Sequence, residues 1–217
     1  LSYATLANGE QNRTVLPADL AEDLATSLLR YGVPMNQVQT PKPAFLMNQI
    51  VLLRLTSLGY GGEHGVEQHY LRQLGGRQLL ELETLDEQLS LLFDQPMTLQ
   101  QQLLIDTLQQ EAEIEPLVAG MIGAWFSGDD ALFMEMFEAQ SGDSELTRQF
   151  TEQLLDHRNL GMTDKIQGYL AAGNPAAPRT YFVLVGAAHL IGEAGIIGLL
   201  EERGVQAERL TSRSIIH

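Results

Sequence analysis

The run Tyr181-Phe182-Val183-Leu184-Val185 constrains this chain more than any other segment. It is apolar throughout and rich in β-favouring residues, as expected of a strand buried on both faces. Gly186-Ala187-Ala188-His189 reads as its exit. Gly192 to Glu202 reads as a helix stopped by Gly204, and Val205 to Leu210 as a short last strand. A second internal strand is expected over Arg77 to Glu83. Leu80 and Leu82 share one face there, and Glu81 and Glu83 the other. Thr84 with Glu87 forms a capping box, so a helix is expected directly at the end of that strand.

The rest of the chain has helical period. Tyr3 to Glu10 reads as a short hairpin about the Asn8-Gly9 turn. Pro17, the repeat Leu20, Leu24, Leu28 and then Gly32 mark one helix. Pro41 and Pro43 open the next, with an apolar face of Phe45, Leu46, Ile50 and Leu53 and a stop at Gly59. A short helix is expected over Val66 to Leu74, and another from the Thr98/Gln101 capping pattern to about Glu111. Leu117, Met121 and Trp125 mark a helix ending at Ser127-Gly128; Leu132, Phe133, Met136 and Phe137 mark one more. Leu146, Phe150 and Leu154 continue to His157, with a break near Asn159 to Gly161 and a resumption through Met162, Ile166 and Tyr169. The expected fold class is α/β and helix-rich: a small mixed sheet with flanking helices. A helical insertion over residues 88–172 lies between strands of a single domain covering residues 1–217, in keeping with ~150 residues per domain.

Composition removes several functions. The formal charge of −15 argues against non-specific nucleic-acid binding, which needs a basic footprint, and against docking on anionic lipid. Without cysteine there is no disulfide, thiolate metal site or thiol nucleophile. The longest apolar stretch, Thr180 to Leu200, is broken by His189, Glu193 and glycines, so no segment reads as a membrane span.

Two positions share one expected geometry. Glu83 and His189 each stand at or just beyond the carboxyl end of an expected strand, before a helix. In open α/β sheets that edge is where ligands bind. Parallel neighbouring strands would turn both side chains into one crevice. The plainer alternative is that His189 is a polar loop residue and Glu83 caps its own helix. Glu63-His64-Gly65-Val66-Glu67-Gln68-His69 holds two histidines and two carboxylates, but its spacing fits no zinc or calcium pattern. Asp156-His157-Arg158-Asn159 offers an arginine suited to a carboxylate or an oxyanion; the alternative is a salt bridge with Asn159 as a helix C-cap. Phosphate-loop, Gly-x-Ser-x-Gly and His-Glu-x-x-His patterns are absent.

Read in order, these pieces resemble the TraB/GumN family, which also takes in the Tiki-type proteins. The family's closing signature, Gly-x-x-His-Leu-x-Gly-x-x-Gly, is matched by Gly186 to Gly195. Leu82-Glu83-Thr84 with Gln88, Gly65-Val66-Glu67 and Arg158-Asn159 match three further elements. The family also carries a first Gly-x-x-His after a strand near its N-terminus, followed by a strand ending in an acidic residue; the sequence opens at Leu1-Ser2-Tyr3 without that segment, so the functional protein is expected to be longer. The resemblance implies a metal-dependent hydrolase acting on peptides. In it His189 and Glu83 would hold a divalent ion (Zn, Mn or Co) or activate water. Glu67 would be a second acid/base or a ligand, and Arg158 and Asn159 would orient or stabilise the developing oxyanion. It also implies a periplasmic or secreted location. The alternative is a non-catalytic binding protein holding haem, a peptide or another small ligand in an α/β crevice. Peptide or small-molecule partners are expected, and no nucleic acid.

Overall fold

The computed structural model describes residues 2–7, 9–140, 144–172 and 179–210. Ten α-helices stand in order along them: α1 (Asn12–Val15), α2 (Ala18–Arg30), α3 (Pro43–Ser57), α4 (Val66–Arg72), α5 (Leu85–Phe93), α6 (Met97–Gln109), α7 (Ile114–Ser127), α8 (Asp130–Ala139), α9 (Glu145–Ala171) and α10 (Ile196–Glu202). The chain divides into two compact units, Leu1–Glu152 and Gln153–His217.

In the first unit the apolar stripe of α2 forms the core. Leu20, Leu24 and Leu28 recur every four residues and bury against Leu46 and Ile50 of α3 and Leu104 of α6. Each such side chain contributes about 1.5–3 kcal/mol by burial. The connection between α2 and α3 is fastened by Asn12, which is fully buried. Its Nδ2 donates to the carbonyls of Val38 at 2.6 Å and Pro41 at 2.8 Å. A smaller cluster joins Ala4, Ala44 and Phe93. The Thr84/Glu87 capping box forms as expected, with Glu87 N–H donating to Thr84 Oγ1 and Thr84 N–H to Glu87 Oε2.

In the second unit the buried residues Asn159, Met162, Thr163 and Ile166 recur on one face of α9, and α10 buries Ile196 and Leu200. Arg203 Nη1 donates to Asp164 Oδ1 at 2.6 Å and to Gln167 Oε1 at 3.1 Å, tying the end of α10 to α9.

The α/β expectation is overturned: the described residues are helical and contain no sheet. Residues 77–83, 181–185 and 205–210 are not strands. Leu80 is 37% exposed and Phe182 69% exposed, where the apolar face of one expected strand and the buried run of the other would cover both. Alternation and β-propensity describe side chains that fit a sheet surface; a strand forms only where another chain segment takes up its hydrogen bonds. No such neighbour stands beside these segments among the described residues. The insertion over 88–172 therefore has no flanking strands to be inserted between. The N-terminal hairpin is corrected as well. Ser2–Ala4 is a 3-10 turn, and Thr5 makes an isolated antiparallel bridge to Pro41 instead of pairing locally; Asn8, half of the expected turn, lies outside the described residues. Two helix boundaries also differ. Pro96 precedes the first turn of α6, so Thr98 lies inside that helix. Helix α9 runs unbroken through Asn159 and Gly161. Asn159 is thus no C-cap, and the loss from the interior glycines Gly161 and Gly168, about 1 kcal/mol each, is borne by a helix of 27 residues.

Candidate functional site

Asn159 and His189 are brought together in the second unit. Asn159 is 2% exposed and His189 7% exposed. Asn159 Nδ2 donates to the carbonyl of Ala194 at 2.9 Å. The amide oxygen of Asn159 is 2.7 Å from His189 Nδ1. The first contact settles the second. With the amide nitrogen committed to a carbonyl, Oδ1 is the atom that faces the imidazole, and an amide oxygen only accepts. Nδ1 therefore carries the proton. In the neutral ring the lone pair then lies on Nε2, the atom able to take a proton or bind a cation.

The glycines of the closing signature explain how the backbone reaches this arrangement. His189 ends a 3-10 turn, Ala187–His189, with its N–H donating to Gly186 O at 3.0 Å. Gly192 has φ +81°, a conformation that a side chain disfavours. A Cβ on Gly195 would stand 2.5 Å from Ile191 O, so only glycine fits there. The reversal these residues permit carries the Ala194 carbonyl to Asn159.

Arg158 is half-buried, next to Asn159 on α9, and holds an electrostatic or hydrogen-bonding partner. Glu83 and Glu67 belong to the first unit. Glu83 is half-buried, in the bend before α5, and Glu67 is exposed in the first turn of α4. Since 77–83 and 181–185 are not strands, the argument that parallel strand ends converge on one crevice falls. The α/β crevice of the binding alternative falls with it.

A divalent ion was expected on His189 and Glu83. A catalytic zinc takes three protein ligands. Among the described residues no group of three His, Cys, Asp or Glu is placed to hold a metal. His189 with its Asn159 partner suits a single ligand position, but a complete donor set does not form among those residues.

Two polar features escaped the sequence. Thr163 lies one turn beyond Asn159 on α9, fully buried, and its Oγ1 has no hydrogen-bond partner among the described residues. In the first unit Glu111 is 6% exposed. It accepts from Ser27 Oγ at 2.8 Å, Tyr31 OH at 2.6 Å and Arg30 Nη1 at 3.2 Å. Burial, the hydrogen bond to Glu111 and the charge of Glu111 push the Tyr31 hydroxyl up from 10.0 to about 12. Glu111, Ser27 and Arg30 also line a cleft of about 390 Å³ between α2 and α6. The only trace in the sequence is that Ser27 and Tyr31 share a helix face with four-residue spacing.

The sequence profile of the TraB/PrgY/gumN family matches residues 1–209. The chain belongs to the TraB/PrgY/gumN family. Comparison with curated proteins and with solved structures finds no match. The Gly186–Gly195 signature that carried the resemblance is the segment that delivers His189 and the Ala194 carbonyl to Asn159. No helix among the described residues is long and apolar enough to cross a membrane.

Proposed function

We propose that this family member is a hydrolase acting on peptides, exported to the periplasm or beyond the cell, in which His189 is the general base. The observation that supports it is the buried pairing of His189 with Asn159 and of Asn159 with Ala194. A base must hold its lone pair on a fixed atom. A neutral amide locked to a carbonyl fixes the ring and its tautomer at once. Nε2 takes the proton of the water as its oxygen attacks the scissile carbonyl carbon. The same imidazolium later returns a proton to the leaving amine. Asn159 is a positioning residue, since it acts on the substrate only through His189. Arg158, one residue away, supplies positive charge for the tetrahedral oxyanion. The described residues supply no full metal donor set.

The test is hydrolysis of a fluorogenic peptide library by the full-length protein, beside His189→Ala and Asn159→Ala, with thermal unfolding of each. Hydrolysis lost in His189→Ala at nearly unchanged unfolding temperature supports the reading. Unchanged hydrolysis in His189→Ala, or no hydrolysis by the parent, overturns it.

A further inference from the structure

The charge of this chain is concentrated in one stretch. From residue 78 to 147 there is no Lys, Arg or His, and there are 15 Asp or Glu residues. The formal charge of the whole chain is −15 and its Lys+Arg count 13. Outside this stretch acids and bases therefore balance. Among the described residues, cations from outside it that pair with its acids include Arg30 with Glu111, Lys42 with Asp94, Arg54 with Glu115 and Arg148 with Glu145.

Within that stretch α7 and α8 form an antiparallel hairpin about left-handed Gly128, with Asp129 capping α8 through the Leu132 N–H at 3.0 Å. The absence of a side chain at Gly120 lets Met136 close against α7; a Cβ there would meet its sulfur at 2.9 Å. The pairing leaves large apolar groups outside. Trp125 is 53% exposed, Phe126 79% and Leu132 38%. The two aromatic rings lie 5.1 Å apart at the end of α7. Exposed Asp129, Asp130, Glu135 and Glu138 share the hairpin with them. Contiguous exposed apolar surface rimmed by polar groups marks an interaction site.

We propose that the α7–α8 hairpin is a docking surface for a basic polypeptide segment carrying apolar side chains. Its aromatic end takes the apolar residues, and its carboxylates face the Lys and Arg side chains. Charge selects this occupant. An anionic lipid surface is repelled. A second copy presents the same acidic hairpin and, elsewhere, bases matched by acids. A cationic amphipathic segment alone complements both features. The inference is independent of the role assigned to His189.

Trp125 is the sole tryptophan, so its emission reports on this surface alone. The full chain is titrated with a synthetic Lys/Leu amphipathic peptide, with the same peptide carrying Glu for Lys, and with oligolysine. The expected result is a saturable blue shift with the Lys/Leu peptide only, with affinity falling at least about tenfold between low salt and ~1 M salt. Phe126→Ser raises Kd at least about tenfold. Glu135→Gln with Glu138→Gln raises it several-fold and weakens the salt dependence. Both sites are exposed, and circular dichroism checks that the helices persist. The proposal is overturned by no shift with the Lys/Leu peptide, an equal shift with the Glu/Leu peptide, or an unchanged Kd in Phe126→Ser. It is overturned equally if parent emission changes on dilution as a dimer dissociates, or if zwitterionic vesicles shift it as strongly as the peptide does.

Discussion

Glu111 in the first unit and His189 in the second are both buried, and the two are held on opposite plans. In the first unit Glu111 accepts from a serine, a tyrosine and an arginine, and its charge is satisfied by Ser27 and Arg30 of α2 and by Tyr31 at the C-cap of that helix. In the second, His189 is anchored at one nitrogen by an amide that is itself anchored to a backbone carbonyl. Surrounding a carboxylate with donors spends its reactivity on holding helices in place. Holding an imidazole through Nδ1 fixes the orientation of the ring and the tautomer of its neutral form. Burial of a titratable group is thus no mark of function by itself; the kind of group that holds it distinguishes the two centres.

The widest separation between the two centres is expected from their alanine variants. His189→Ala should lower peptide hydrolysis by about 10²–10⁴, the usual contribution of a positioned general base. Its unfolding midpoint should move little. Glu111→Ala should do the reverse: a loss of about 2–3 kcal/mol, because a buried hydroxyl, a phenol and a guanidinium lose their shared acceptor, with hydrolysis kept. Denaturant unfolding and steady-state kinetics on both variants check the pair. If Glu111→Ala abolished hydrolysis at unchanged stability, the contrast would collapse.

A smaller effect sharpens the second centre. Gly195→Ala places a methyl 2.5 Å from Ile191 O, so the 191–195 backbone must shift. A cost of about 1–3 kcal/mol is expected from such overpacking. The displaced Ala194 carbonyl should also release Asn159, lowering kcat with KM nearly constant. Gly192→Ala strains only its own left-handed residue, costs about 1 kcal/mol and should spare kcat. Equal kcat in Gly195→Ala and the parent would separate the Ala194 contact from the chemistry.

The helices were legible because their signals are local. Pro17, the Leu20/Leu24/Leu28 stripe and Gly32 frame α2, and Thr84 with Glu87 caps α5, each within a few residues of sequence. The strands were misread because a strand is defined by a neighbour. Nothing inside Tyr181 to Val185 reports that the described chain brings no ladder to it. The candidate site was half legible. His189 and Asn159 stood out in the sequence, but their pairing spans 30 residues and the Ala194 contact 35. Side-chain hydrogen bonds across such distances leave no periodic trace. Thr163 and Glu111 escaped for the same reason: a polar residue on a helix reads as solvated until its burial is known.

The smallest predicted effect tests the closed character of the Glu111 centre through its phenol. The folded state keeps the Tyr31 proton up to about 12, whereas the unfolded value is 10.0. Below pH 10 both states hold the proton, and the stabilisation from this difference is fully present. Between pH 10 and 12 the unfolded chain binds fewer protons than the folded one, so stability falls as pH rises. Tyr31→Phe removes the titrating group and one of three donors to Glu111. At neutral pH it should cost about 1 kcal/mol, since Ser27 and Arg30 remain on the carboxylate. Over pH 10–12 its stability should fall less steeply than that of the parent. The measurement is urea unfolding at stepped alkaline pH for parent and variant. Parallel slopes would show that the Tyr31 phenol ionises alike in both states, and that Glu111 is held by its other two donors.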